Sequence, residues 1–190
     1  MRFWIFNLIV FLISYQAFAQ RETKPVTKTT LVVLGTAQDA GSPQINCTKN
    51  CCRAIFEGKK RQTPVVSLGV IDPINQKQFL FEATPNITQQ LRILKNNAPS
   101  KVNEIPAAIF LTHAHIGHYT GLMYLGKEVM NAKQVPVYVY PKMKGFLENN
   151  GPWSQLVSNQ NIDLKLMDKD NLVQLSSELC IRPFQVPHRD

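Results

Sequence analysis

The chain has 190 residues, with 21 Lys and Arg against 13 Asp and Glu, a formal charge of +8, and 44% hydrophobic and 18% charged content. That balance is ordinary for a globular protein and excludes an intrinsically disordered chain. The basic residues are scattered apart from Lys59-Lys60-Arg61 and no aromatic-interleaved basic strip is present, so nucleic acid is not an expected partner.

Residues 1–19 read as a secretory signal peptide. Arg2 gives a positive start, Phe3 to Ile13 is apolar except for Asn7, and Ala17-Phe18-Ala19 precedes Gln20 in a small-x-small pattern. The run is shorter than the roughly 20 apolar residues that cross a bilayer. No cysteine stands at the cleavage point. The expected product is exported, periplasmic or secreted, with no stable membrane anchor after cleavage. Residues 20–30 are a polar linker, and 31–190 are expected to form one domain.

Leu31 to Thr36 predicts a buried strand, followed by a loop of turn-forming residues, Ala37 to Gln44, that leads to a cysteine cluster. Val65–Asp72 and Gln78–Glu82 predict two strands joined by a turn at Pro73-Ile74-Asn75-Gln76. Asn86 is placed to cap a helix running to about Lys95, with Ile87, Leu91 and Leu94 on one face. Ala107 to Leu111 is an apolar strand that runs straight into the densest histidine segment. Beyond it, Tyr119 to Met130 has helical spacing, Val135 to Tyr140 is a strand, and Pro141 opens a short helix to Glu148. Asp163–Met167, Leu172–Leu175 and Leu179–Val186 are the remaining strands. Hairpins come first and alternation with helices later, so the class is mixed α/β (α+β).

The chain has four histidines. His113, His115 and His118 fall within six residues after the buried strand, and His188 ends another apolar stretch. Imidazole is the commonest ligand of borderline metals, and such close spacing lets several rings converge on one small volume. A solitary histidine is usually a satisfied core or surface residue. Three packed behind one strand are hard to place that way, so metal binding is the preferred reading.

The segment Thr112-His113-Ala114-His115-Ile116-Gly117-His118-Tyr119-Thr120-Gly121, set between a strand and a helix, resembles the signature of the metallo-β-lactamase superfamily. The strand Phe79-Leu80-Phe81-Glu82-Ala83 is similar to the one that precedes that motif. Leu34 to Gln44 and the nearby cysteines resemble the branch containing coenzyme PQQ synthesis protein B and the phosphonate-pathway cyclic phosphodiesterases. This resemblance implies an αββα sandwich with metal at one edge. It also implies that His113, His115 and His188 hold zinc and leave a fourth position for water, whose pKa falls to about 7 on such a site.

His118 would belong to a second metal position. There the chain departs from the family, because Gly117 stands where the motif carries an aspartate that ligates the second metal. The family's later bridging aspartate and final histidine would lie past Asp190. One zinc ion is therefore the expectation, and the sandwich is expected to be incomplete at its C-terminal end. Asp39 and Glu82 are placed either to fix histidine tautomers as hydrogen-bond acceptors or merely to cap turns. Asp190 is either a neighbour of the site or a loop charge.

Cys47, Cys51 and Cys52 cluster, with Cys180 far along the chain. The resemblance implies a structural metal at the cluster, whereas export favours disulfides, and four cysteines allow three full pairings. Free thiols are the third possibility. The functional expectation is an exported metal-dependent hydrolase acting on a small-molecule phosphodiester or other ester through zinc-bound hydroxide. Its alternatives are a non-catalytic metal-binding or interaction protein of the same fold, and a PQQ-synthesis-B-like protein, which export from the cytosol disfavours. Sequence assigns no catalytic side chain beyond the ligands and no oligomeric state.

Overall fold

The computed structural model describes residues 24–188, so the signal-peptide reading and the suggestion for Asp190 lie outside the described residues. Six strands form the main sheet in the order β1 (Thr30–Gly35), β2 (Ser67–Asp72), β3 (Lys77–Phe81), β4 (Ala108–Phe110), β5 (Val135–Val139) and β6 (Ile162–Leu166). The first two pairings are antiparallel and the next three parallel. The change from hairpins to helical crossovers is the change in patterning read along the chain. At the β2–β3 turn, Asp72 accepts from the backbone N–H of Asn75 at 3.1 Å and from its side-chain amide at 2.8 Å.

Alternation along the strands divides the side chains between two cores. Leu80, Ile109, Val137 and Val139 face a helical layer of α2 (Ile87–Asn97), α3 (Pro141–Asn149) and α4 (Trp153–Ser158). Phe79, Ala108 and Phe110 face the other way, toward Met167, Leu175 and the small second sheet of β7 (Val173–Gln174) and β8 (Cys180–Ile181). On that second face Phe81, Phe110 and Tyr138 stack across three neighbouring strands, with ring centroids 4.9 and 4.8 Å apart. Burial on both faces explains why β3, β4 and β5 read as nearly continuous apolar runs. Helices, main sheet and second sheet thus make three layers of a metallo-β-lactamase-like mixed α/β fold.

Four local expectations change. The cysteine segment is not all loop: α1 (Asn50–Phe56) forms there and buries Cys52 and Ile55, three residues apart on one face. Asn86 precedes α2 but makes no side-chain cap; its Oδ1 accepts from Val65 N at 2.9 Å, while the Thr84 hydroxyl accepts from Asn86 N at 3.0 Å. The helix expected over Tyr119 to Met130 shrinks to the 3-10 turns Ile116–His118 and Thr120–Leu125. Here tertiary contact overrides periodicity. Gly121 N donates to Ala83 O at 2.8 Å, and a Cβ on Gly121 would lie 2.1 Å from Thr84 O, so this segment is pressed onto the chain leaving β3. Lastly, only Cys180–Ile181 of the expected strand Leu179–Val186 is paired. Among the described residues no helix is long and apolar enough to cross a membrane.

Candidate metal centre

The site lies where β3 and β4 end side by side in parallel. Glu82 N donates to Phe110 O at 2.9 Å, and Leu111 N donates to Tyr138 O at 3.0 Å, so the sheet holds both strand exits up to Leu111, two residues before His113. Past that point the chain turns out of the sheet, with His118 N donating to His115 O at 2.9 Å. Ala83 N donates to His118 O at 2.8 Å and clamps the histidine turn to the β3 exit. Glu82 itself is buried and sits at φ 73°, a left-handed conformation that costs a non-glycine residue on the order of 1–3 kcal/mol and is concentrated at functional sites.

All four histidines meet here. The His113 ring centroid lies 4.5 Å from that of His115, 4.3 Å from His118 and 4.6 Å from His188. His188 arrives from the extended segment after β8 and places its Nε2 3.4 Å from His115 Nδ1. One ligand nitrogen each from His113, His115 and His188 lies within 4.8 Å of the others, and a second group of the same tightness joins Glu82, His113 and His118. Residues 73 positions apart in sequence are thereby brought together, as the family resemblance implies.

One side chain that the sequence reading left without a role sets the tautomer of His113. The Thr112 hydroxyl is bonded to Glu82 Oε1 and lies 2.8 Å from His113 Nδ1. An ionised carboxylate only accepts, so the hydroxyl hydrogen goes to Glu82 and the oxygen accepts from Nδ1–H. Nε2 of His113 is then left as a bare lone pair, and it is buried with no hydrogen-bond partner. The signal was present in the sequence as the threonine that opens the motif. Its role needs the register of Glu82 across the sheet, which sequence does not reveal.

Asp39, from the loop after β1, lies on the opposite side. Its Oδ1 is 3.0 Å from His118 Nε2, and its Oδ2 is 3.6 Å from His115 Nδ1. Glu82 Oε2 approaches the other nitrogen of His118, Nδ1, at 3.4 Å. Asp39 and Glu82 therefore contact the histidines directly and do not serve as turn caps.

Electrostatics separate the rings. Burial, followed by coulombic repulsion from the neighbouring rings of His118, His115 and His188, pushes the His113 pKa down to about 4, so the ring is neutral near pH 7. The bond to Glu82 raises the pKa of His118; burial opposes this, and the charges of Glu82 and Asp39 add to the rise. Burial pushes the Asp39 carboxyl up, but the bond to His118 and its charge outweigh that and leave the carboxyl below its usual range.

These residues fit a cation. Imidazole nitrogens of His113, His115 and His188, one from each, converge within 4.8 Å of one another, and the buried Nε2 of His113 has no hydrogen-bond partner. A buried polar atom left this way is costly, and a divalent ion held by the converging nitrogens satisfies it. The donor set of imidazole and carboxylate suits zinc.

The cysteines form a separate group near α1. Sγ atoms of Cys47, Cys51 and Cys52 lie within 4.8 Å of one another, and all four cysteines are free thiols. Cys180 lies on β8, away from the cluster. The three clustered thiols form a second group able to hold an ion.

A family model described as a beta-lactamase superfamily domain matches residues 77–190. The coenzyme PQQ synthesis protein B of Cupriavidus taiwanensis is 30% identical over 134 residues, covering 69% of this chain and 43% of that protein. Its counterpart in Rhizobium meliloti is 26% identical over 159 residues, covering 83% of this chain and 51% of its own. The chain spans about half the length of the curated relatives it matches. Among solved structures, zinc-bound PqqB from Methylobacterium extorquens superposes with a TM-score of 0.68 at 22% identity, over 83% of this chain and 56% of that one. A diphosphatase of the PhnP family superposes with a TM-score of 0.56 at 20% identity, over 77% of this chain and 53% of that one. At those identities the superpositions establish the shared fold.

Proposed function

The chain belongs to the metallo-β-lactamase superfamily, and we propose that within it the chain stands with the PqqB-like and PhnP-like branch and is an exported metal-dependent hydrolase of small anionic esters. The observation that carries this reading is the convergence of His113, His115 and His188, with Nε2 of His113 bare and buried. A zinc ion in such a site supplies Lewis acidity when bound and can lower the pKa of water to about 7.

The chain's own residues prepare the site for that ion. Thr112 and Glu82 hold His113 in the tautomer whose Nε2 is free, and desolvation keeps that ring unprotonated at neutral pH. Asp39 holds His118 and faces His115 from the solvent side, its carboxylate 42% exposed where a substrate would enter. The formal charge of +8 favours approach of an anionic substrate, and a phosphodiester fits that preference. The diphosphatase among the structural neighbours supports the same substrate class by analogy of fold.

Gly117 favours a second reading, a metal-binding or interaction protein without turnover, because the motif carries no acidic side chain at that position. A role like that of coenzyme PQQ synthesis protein B is the third, suggested by its relatives and opposed by the proposed export. Metal analysis of the purified chain, combined with hydrolysis of bis(p-nitrophenyl) phosphate, separates them. The hydrolase reading expects stoichiometric metal and turnover abolished by His113→Ala. Bound metal without turnover on any ester would favour the second reading.

A further inference from the structure

Gly117 has no side chain, yet the volume beside it is filled. A Cβ built there would lie 2.6 Å from Asp39 Cα, 2.6 Å from Asp39 O and 2.7 Å from Asp39 Cβ. The loop after β1 thus enters the space that a residue at 117 would claim, and it brings a carboxylate with it. Oδ1 of that carboxylate is 3.0 Å from Nε2 of His118, and Oδ2 is 3.6 Å from Nδ1 of His115. Behind His118, Glu82 is 6% exposed and His118 7% exposed, with Glu82 Oε2 lying 3.4 Å from Nδ1 of the ring.

We propose that Asp39 takes the place of the missing side chain at 117 as carboxylate ligand of a second divalent cation, held with His118. The inference rests on the metal reading of the histidine cluster and deepens it. Without the ion, a proton bridges Asp39 Oδ1 and His118 Nε2. With it, the cation replaces that proton between the same two atoms. Glu82 stays on Nδ1 as acceptor and fixes the ring so that Nε2 faces the cation. The second oxygen of Asp39 faces His115 Nδ1 at 3.6 Å.

The logic also accounts for glycine at 117. A carboxylate arriving from another loop needs the room that Gly117 leaves, and a larger residue would push the Asp39 backbone away. The acidic ligand has moved to another segment while the position it serves is kept.

The test is crystallographic, on the full chain equilibrated with zinc, using anomalous differences at the zinc edge to locate every ion separately. This keeps any ion at the Cys47 cluster out of the count. The expected result is two ions among the histidines, the second within about 2.2 Å of an Asp39 oxygen and of His118 Nε2. In Asp39→Asn, calorimetric titration should show second-site affinity lowered by at least roughly 10- to 100-fold, the loss that even an outer hydrogen-bond partner causes, with the first site retained. Circular dichroism of the variant guards against misfolding, and the wild-type map stands without it. One ion on His113, His115 and His188 alone, or a second ion with Asp39 turned away, overturns the inference and leaves the metal reading intact. Absence of any ion among the histidines overturns both.

Discussion

The Thr112 hydroxyl lies 2.8 Å from His113 Nδ1 and joins that ring to Glu82 on the neighbouring strand. The hydroxyl links side chains of the two strand exits, and that link decides which nitrogen of His113 is bare. Thr112→Val keeps the shape and removes the relay. Metal affinity at the three-histidine position is expected to fall roughly 10- to 100-fold, the usual effect of losing a partner behind a ligand. Competition titration with a zinc chelator checks it; Thr112→Ser should restore most of the loss. Unchanged affinity in Thr112→Val would show that the tautomer is set elsewhere.

Gly117→Ala forces a Cβ to within 2.6 Å of the Asp39 backbone. Backbone cannot yield as a flexible side chain can, so the loop must shift, at a cost of about 1–3 kcal/mol. Urea denaturation should register the loss as a lower midpoint with an unchanged slope. A stability equal to the parent would mean that the loop after β1 is not seated against this turn.

Asp72 tests the acid limb of stability. Burial raises its pKa, but the nearby Ser176 hydroxyl and the two hydrogen bonds from Asn75 outweigh burial and leave the net value below the ordinary 3.8. A depressed folded-state pKa contributes stability that is complete above about pH 3.8 and lost as pH falls through the lower folded value. Asp72→Asn should therefore destabilise the protein near pH 7 and flatten its loss of stability in acid. Denaturation midpoints measured from pH 7 downward would reveal it. Parallel curves for both proteins would exclude the linkage.

Leu80 is fully buried on the helical side of β3, two residues before Glu82. Leu80→Ala opens a cavity beneath the strand exit and should cost about 2–5 kcal/mol. Because Glu82 rides on the same strand, zinc affinity should weaken in parallel with the fall in unfolding midpoint. Lost stability with fully kept affinity would show that the site does not depend on the core under β3.

Much of this was legible beforehand, and the exceptions are physical. The strands could be read because alternation and apolar runs are local signals, and the switch from antiparallel to parallel pairing follows the change in their spacing. His188 could be matched with His113 and His115 because the family resemblance implies a histidine at that place as the third ligand. The 3-10 turns after His118 could not be read, since the contact of Gly121 with Ala83 and Thr84 comes from a strand exit nearly forty positions earlier. Asp39 was visible as a residue near the site but not as the occupant of the space at Gly117. Only the fold shows that one segment's missing side chain is filled by another segment. α1 escaped notice because the cysteines that fill it suggested ligands more strongly than a helix.

Zinc titration of the full chain against His188→Ala most directly tests whether two distant segments grip one cation. The account predicts stoichiometric, tightly held zinc among the parent's histidines and a large loss of affinity when His188 is removed, with circular dichroism unchanged. A parent that binds no zinc, or a variant that binds it as tightly as the parent, would contradict it.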